Sequence, residues 1–224
     1  MLRGILFDMD GVLVDSIPSI HACLNHALDR MGRAPIGREA ALPAVGPPLE
    51  HAAEELLGTR DAAEVERFVG HYRERYGRTC ARETLPAAGL AEVLAALAAR
   101  WPLAVATSKP EVYAREILGA LGVAGRFAAI CGRSLALDRA TKAASIARAV
   151  EAVAEDGSSR GLIMVGDRSH DVEGAAEHGI PTVGVLHGAG SEAELRGAGA
   201  RWILDDLRGL PALTAELAER AEPL

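Results

Sequence analysis

The segment from Phe7 to Ser16 reads FDMDGVLVDS and carries two carboxylates, Asp8 and Asp10, with only Met9 between them. Acids this close can divide a reaction. One attacks an electrophilic centre as a carboxylate, while the other protonates the departing oxygen and later helps activate water. A like-charged neighbour raises the proton affinity of one carboxyl, whereas a cation and hydrogen-bond donors keep the other ionised. Asp8 is therefore the candidate nucleophile and Asp10 the candidate acid and base. Gly11 permits a tight turn directly after them, and Asp15 is placed to brace the loop or orient Asp10.

Three later stretches supply what such a pair would need. LAVATSKP ends in Thr107 and Ser108, whose hydroxyls, with adjacent amides, suit the oxygens of a phosphate. Lys109 beside Pro110 reads as a local positioning or surface residue. Lys142 in TKAASI offers an ammonium that offsets the charge of a phosphate and of Asp8 together; taken alone it better suits a solvated helix start, and its order among the other pieces reverses that preference. LIMVGDRSHD places Asp167 after an apolar run and Asp171 four residues later. Magnesium favours hard oxygen donors and retained waters, so the expected ligands are Asp8, Asp167 and the backbone carbonyl of Asp10, with Asp171 acting directly or through water. His170 is expected to orient the loop, imidazole being a poor match for this ion. A nucleophile, a proton donor, phosphate anchors, a counter-charge and cation ligands together meet the requirements of phosphoryl transfer.

Elements of α/β type must carry these groups. LRGILF is an apolar run ending abruptly in acids and glycine, the pattern of a buried strand and its loop. From about Ser16 to Glu83 the signals are helical, with turns near GRAPIG, VGPPL and LLGTRD. The Ser16 hydroxyl is a candidate N-cap acceptor ahead of Pro18. Val65, Phe68, Val69 and Tyr72 have the spacing of one helix face. After LPAAG, strand and helix alternate: strands at LAVAT, AAICG, GLIMVG, PTVGV and WILDD, helices through ALAAR, from Pro110, through KAASIARAVEAVA and at DVEGAAEHG. This predicts a Rossmann-like, mostly parallel sheet core from residues 1–15 and 84–224, interrupted by an α-helical cap over 16–83. An insertion at the carboxyl end of a parallel strand is placed to cover a site and exclude water.

These pieces, in this order, closely resemble the haloacid dehalogenase-like phosphatase superfamily, and within it the phosphoglycolate-phosphatase-like group with a helical cap. Asp8 and Asp10 match the nucleophile and acid/base pair, Thr107 the phosphate-binding hydroxyl, Lys142 the stabilising lysine, and Asp167 with Asp171 the acidic magnesium motif. The resemblance implies hydrolysis through an aspartyl-phosphate. ATSKPEVYAREIL and GDRSHDVEGAAEHGIPTVGVLHGAG look like a subgroup holding both phosphoglycolate phosphatases and proteins resembling 5′-nucleotidases. TKAAS stands where KPxP is common, and Asp10 separates this chain from haloalkanoate dehalogenases, which usually lack a second aspartate there.

Composition sets the outer limits. The chain has 224 residues, 49% of them hydrophobic and 4% aromatic, so aliphatic side chains fill its core. A formal charge of −7 opposes broad attraction to a nucleic acid polymer, and no apolar run reaches membrane-spanning length. The expected partner is a small phosphorylated metabolite and the expected location the cytoplasm. Cys23, Cys80 and Cys131 lack a close pair or metal-ligand spacing and are expected in the core. In the cap, Gly46, Pro47 and Pro48 form a rigid turn that could shape a leaving-group pocket, and Arg73, Arg75 and Arg78 are candidate anion binders whose spacing also suits a solvated helix face. The specific expectation is 2-phosphoglycolate hydrolysis. Its alternatives are a 5′-nucleotidase, a phosphosugar mutase and a non-enzymatic interaction protein.

Overall fold

GILF, Gly4–Phe7, forms strand β1 and is buried at every position, as a strand covered on both faces must be. The chain leaves it through a compact turn in which the amides of Val12, Leu13 and Val14 all donate to the Met9 carbonyl. Two short strands follow, β2 (Val14–Asp15) and β3 (Leu85–Pro86), which pair with each other. The computed structural model describes residues 1–135, 141–154 and 156–219. It divides into two compact units, Asp15–Leu85 and Met1–Val14 with Pro86–Leu224.

The Asp15–Leu85 unit contains α1 (Ile17–Arg30), α2 (Arg38–Ala41), α3 (Leu49–Leu57) and α4 (Ala62–Glu83). Helix α1 starts with an acceptor other than the expected one. Ser16 occupies the N-cap position but with φ −98° and ψ −3°, and its side chain caps nothing. Side-chain capping needs an extended backbone at that position, so Asp15 supplies the acceptor instead, its Oδ1 taking the Ile17 amide at 3.0 Å. Helix α4 opens on Asp61, which accepts the Glu64 amide at 3.0 Å. It buries Val65, Phe68, Val69, Tyr72, Tyr76 and Cys80, a stripe at helical spacing that packs against α1 and α3.

In the other unit the chain runs α5 (Leu90–Ala98), β4 (Leu103–Pro110), α6 (Glu111–Ala120), β5 (Ala129–Arg133), α7 (Lys142–Val153), β6 (Leu162–Gly166), α8 (Ser169–Ala176), β7 (Thr182–Val185), α9 (Glu192–Ala198), β8 (Trp202–Leu204) and α10 (Leu210–Glu219). Among the described residues, six strands form one sheet in the order β5-β4-β1-β6-β7-β8, and every neighbouring pair is parallel. This is the α/β, Rossmann-like architecture expected. Helices α9 and α10 extend it beyond the elements read from the sequence.

Leu6, Ala104, Ala106, Leu162 and Met164 from the sheet pack with Ile146, Ala149 and Val150 of α7. Burying one large aliphatic side chain of this kind contributes about 1.5–3 kcal/mol. All three cysteines are buried, as expected. No helix among the described residues is long and apolar enough to cross a membrane.

The strand order determines where ligands go. The chain steps from β1 to β4 on one side, then crosses through α7 to β6 on the other, so β1 lies at the point where the winding reverses. In open α/β sheets the crevice beyond the carboxyl ends of the strands at that point is the usual binding position.

Candidate active site

Register brings the acids together. Phe7 pairs with Val105 of β4 and with Val165 of β6, so Asp8, Thr107 and Asp167 emerge at the same end of three adjacent strands. The Asp8 amide donates to the Val165 carbonyl at 2.9 Å, continuing the ladder one step past β1. Asp8, Asp10, Thr107, Lys142, Asp167 and Asp171 are all buried. Acids and lysines are almost never buried unless paired.

The pairing centres on Lys142. Thr141 caps α7 by accepting the Ala144 amide at 3.3 Å, which makes Lys142 the first residue of the helix. Its Nζ lies 2.5 Å from Asp8 Oδ1 and 2.7 Å from Asp171 Oδ1. The other oxygen of Asp171 accepts the amides of Asp167 and Arg168 at 3.0 and 3.1 Å, fixing the start of α8. Glu194 holds the same turn from outside, accepting Arg168 Nε and the Ser169 amide, both at 2.9 Å.

Asp167 is held differently. Its Oδ2 accepts the Ala189 amide at 2.7 Å, while its Oδ1 is buried with no hydrogen-bond partner among the described residues. Backbone closes in on this carboxylate. A β-carbon at Gly11 or Gly188 would overlap it, and Gly11 also needs its φ of +84°. Neither position tolerates a side chain without displacing Asp167.

One oxygen from each of Asp8, Asp167 and Asp171 can be chosen so that all three lie within 4.8 Å of one another. Burial, with the Asp171 and Asp8 charges, pushes the Asp167 carboxyl up to about 8. Burial likewise raises Asp8, against the pull of Lys142. Asp171 is also desolvated, but the Lys142 ammonium holds it below the usual aspartate range. Burial works against the charged form of Lys142, yet Asp171 and Asp8 keep its pKa raised. One cation therefore faces three carboxylates, one of which has an unused buried oxygen. That donor set fits a hard divalent ion, which would replace the proton on Asp167.

Thr107 is fully buried. Its carbonyl accepts Ser145 Oγ at 3.1 Å, and its own Oγ1 accepts the Lys109 amide at 3.1 Å. Ser108, beside it, is half-buried. Lys109 is not a surface residue: its Nζ lies 3.1 Å from Asp10 Oδ2, with the two side chains only 5% and 10% exposed. His170 Nε2 stands 3.8 Å from Asp171 Oδ1.

Ser145, Glu194, the Lys109–Asp10 pair and the Gly188–Ala189 amide escape the sequence reading. The glycines of HGAG flanking Ala189 were the available signal, since glycine marks close backbone approach. His187 fastens that loop by hydrogen bonding to the Val12 carbonyl at 2.9 Å.

The remaining candidates lie in the Asp15–Leu85 unit. Gly46, Pro47 and Pro48 lead into α3, with Gly46 at φ +102°. Arg73 pairs with Glu50 at 3.2 Å. Arg75 grips both oxygens of Glu83 at 2.8 and 3.0 Å and reaches Cys23 Sγ at 3.1 Å. Arg78 is 75% exposed and lies 3.5 Å from Glu74.

Residues 5–185 match the model of a family described as haloacid dehalogenase-like hydrolase. A 5′-nucleotidase of Pseudomonas aeruginosa is 38% identical over 194 residues, covering 86% of each chain. Tyrosine-protein kinase PtkA of Mycobacterium tuberculosis is 39% identical over 187 residues, covering 83% of this chain and 62% of that protein. A phosphoglycolate phosphatase of Agrobacterium fabrum is 31% identical over 226 residues, covering 96% of this chain and 94% of that one. Among solved structures, a predicted phosphatase from Clostridium acetobutylicum matches with a TM-score of 0.87 at 32% identity, over 96% of this chain and 99% of that one.

Proposed function

The chain belongs to the haloacid dehalogenase-like hydrolase family, and from that premise we propose that it hydrolyses a small phosphorylated metabolite through an aspartyl-phosphate on Asp8, with magnesium as its cation. Its relatives make it a phosphoric monoester hydrolase. The observation that carries the finer reading is the buried bridge of Lys142 between Asp8 and Asp171, beside an Asp167 oxygen that nothing among the described residues satisfies.

In the proposed cycle, a carboxylate oxygen of Asp8 attacks phosphorus and the ester P–O bond breaks. The leaving oxygen takes a proton from Asp10. A water then attacks the same phosphorus, gives its proton to Asp10, and the P–O bond to Asp8 breaks, releasing inorganic phosphate and restoring both acids. Lys142 keeps two anions, Asp8 and the substrate phosphate, from repelling each other. Thr107 Oγ1 is the phosphate-binding hydroxyl in this reading, with Ser108 beside it. Asp8, Asp167 and the Asp10 carbonyl, with Asp171 directly or through water, would hold the magnesium ion. When bound, the ion supplies positive charge to the phosphate oxygens as they approach Asp8.

For the substrate we take 2-phosphoglycolate first, supported by the phosphoglycolate phosphatase that aligns along nearly the whole chain. A nucleoside 5′-monophosphate is the second reading, favoured by the higher identity of the 5′-nucleotidase. A phosphate-release panel tests both: 2-phosphoglycolate, nucleoside monophosphates, sugar phosphates and pyrophosphate, with magnesium and with EDTA, for wild type and Asp8→Asn. Turnover surviving in D8N, or unaffected by EDTA, would overturn the reading. Sugar-phosphate isomer formed without phosphate release would assign a mutase instead.

A further inference from the structure

Lys109 and Asp10 form a second buried ion pair in the site, separate from the one around Lys142. The 3.1 Å contact uses Asp10 Oδ2. Asp10 Oδ1 is buried with no hydrogen-bond partner among the described residues. The two oxygens of the candidate acid and base are therefore unequal before any substrate arrives.

An ammonium has only donors. The oxygen facing it must accept, so a proton carried by Asp10 belongs on the other one. We propose that Lys109 is a positioning residue for Asp10: it occupies Oδ2, fixes the carboxyl plane, and leaves Oδ1 as the atom that gives and receives the proton. This rests on the aspartyl-phosphate reading above and adds which oxygen works and what aims it.

The backbone explains how Lys109 reaches this position. The β4–β5 register shifts between Ala106 and Pro110, which frees residues 107–109 from the regular ladder. The Lys109 amide then bonds back to Thr107 Oγ1 at 3.1 Å. One short irregular stretch of β4 thus presents both the candidate phosphate hydroxyl and the lysine that holds Asp10. Burying an ammonium is costly unless it is paired, and Asp10 is a partner within 3.1 Å.

A structural role alone would slow all substrates alike, so the test compares leaving groups. 2,4-Dinitrophenolate departs readily without a proton, whereas phenolate gains much more from one. The quantity to measure is kcat/KM, which covers steps only through formation of the aspartyl-phosphate. For Lys109→Met we expect kcat/KM on phenyl phosphate to fall by about 10-fold or more, part of the 10²–10⁴-fold worth of a general acid. On 2,4-dinitrophenyl phosphate the fall should be less than about threefold by the same principle. Lys109→Arg, which keeps a donor toward Oδ2, should recover much of the loss. In an Asp10→Asn background, K109M should cost little more, because the two side chains act as one unit.

The comparison is read in whichever of K109M and Lys109→Gln keeps the wild-type circular dichroism spectrum. Equal losses on both esters, an unchanged ratio, or fully additive losses with D10N would overturn the Lys109 assignment alone. Wild type inactive on every ester, or D8N fully active, would overturn the phosphatase reading and this assignment with it.

Discussion

Both units contain half-buried or buried ion pairs, but they satisfy their charges to different degrees. In the Asp15–Leu85 unit, Arg75 is fork-matched to both oxygens of Glu83 and also touches Thr79 and Cys23. In the parallel-sheet unit, Lys142 and Lys109 pair with three acids between them, Asp8, Asp171 and Asp10, and buried oxygens of Asp10 and Asp167 have no hydrogen-bond partner among the described residues. Saturated pairs hold structure. Pairs with unused capacity can accept a proton, a cation or a substrate. Charged residues alone therefore do not mark a site; incomplete satisfaction under burial does.

The contrast can be tested first where it predicts the largest effect. D8N should lower kcat/KM by on the order of 10⁴-fold or more, as loss of a nucleophile does in other covalent enzymes, with its circular dichroism unchanged. Residual turnover within about 100-fold of wild type would remove Asp8 from the chemistry and leave the unsatisfied pairs without a function.

Next comes the central lysine. Lys142→Met strips the cation from two buried carboxylates and should cost about 3–5 kcal/mol, the usual penalty for breaking a buried pair from one side. The urea unfolding midpoint measures it, and magnesium should restore part of the loss. An unchanged midpoint would mean that these pairs carry no net stability.

The third test uses pH. The folded, cation-free site holds a proton on Asp167 up to about pH 8, against about 3.9 for an exposed aspartate. A proton bound more tightly by the folded chain stabilises it fully below about pH 4, and that contribution is lost as pH rises through about 8. In EDTA, this group should therefore lower the thermal midpoint between about pH 4 and pH 8, and apparent magnesium affinity should rise over the same window. A magnesium affinity that stays flat from about pH 5 to pH 8 would contradict a protonated Asp167.

The smallest effects belong to the other unit. Arg75→Ala should cost about 1–3 kcal/mol through its charge-assisted hydrogen bonds, whereas Arg78→Ala should stay within about 0.5 kcal/mol. Chemical denaturation of the pair separates them. Equal costs would mean that the doubly bonded guanidinium is no better satisfied than the exposed one.

How much of this was legible in the sequence follows from distance along the chain. Asp8, Asp10, Thr107, Lys142, Asp167 and Asp171 could be picked out because each sits beside a strand end or helix start that its own neighbours reveal. The α/β alternation was readable for the same local reason. Partner choice was not. The link from Lys109 to Asp10 depends on a register shift in β4, and the link from Ala189 to Asp167 depends on which loop meets which strand end. The Ser16 cap failed on a single backbone angle, which residue type does not specify. Helix α9 is only seven residues long, too short for its periodicity to stand out.

The site is assembled from distant parts of the chain. Asp8 is made within the first ten residues, yet Lys142 lies 134 positions away from it and β6 arrives later still. Parallel pairings over such separations are slow to form. During synthesis or refolding, the helices should therefore regain their signal while the protein is still inert, and hydrolysis becomes a clock for the last strand to dock.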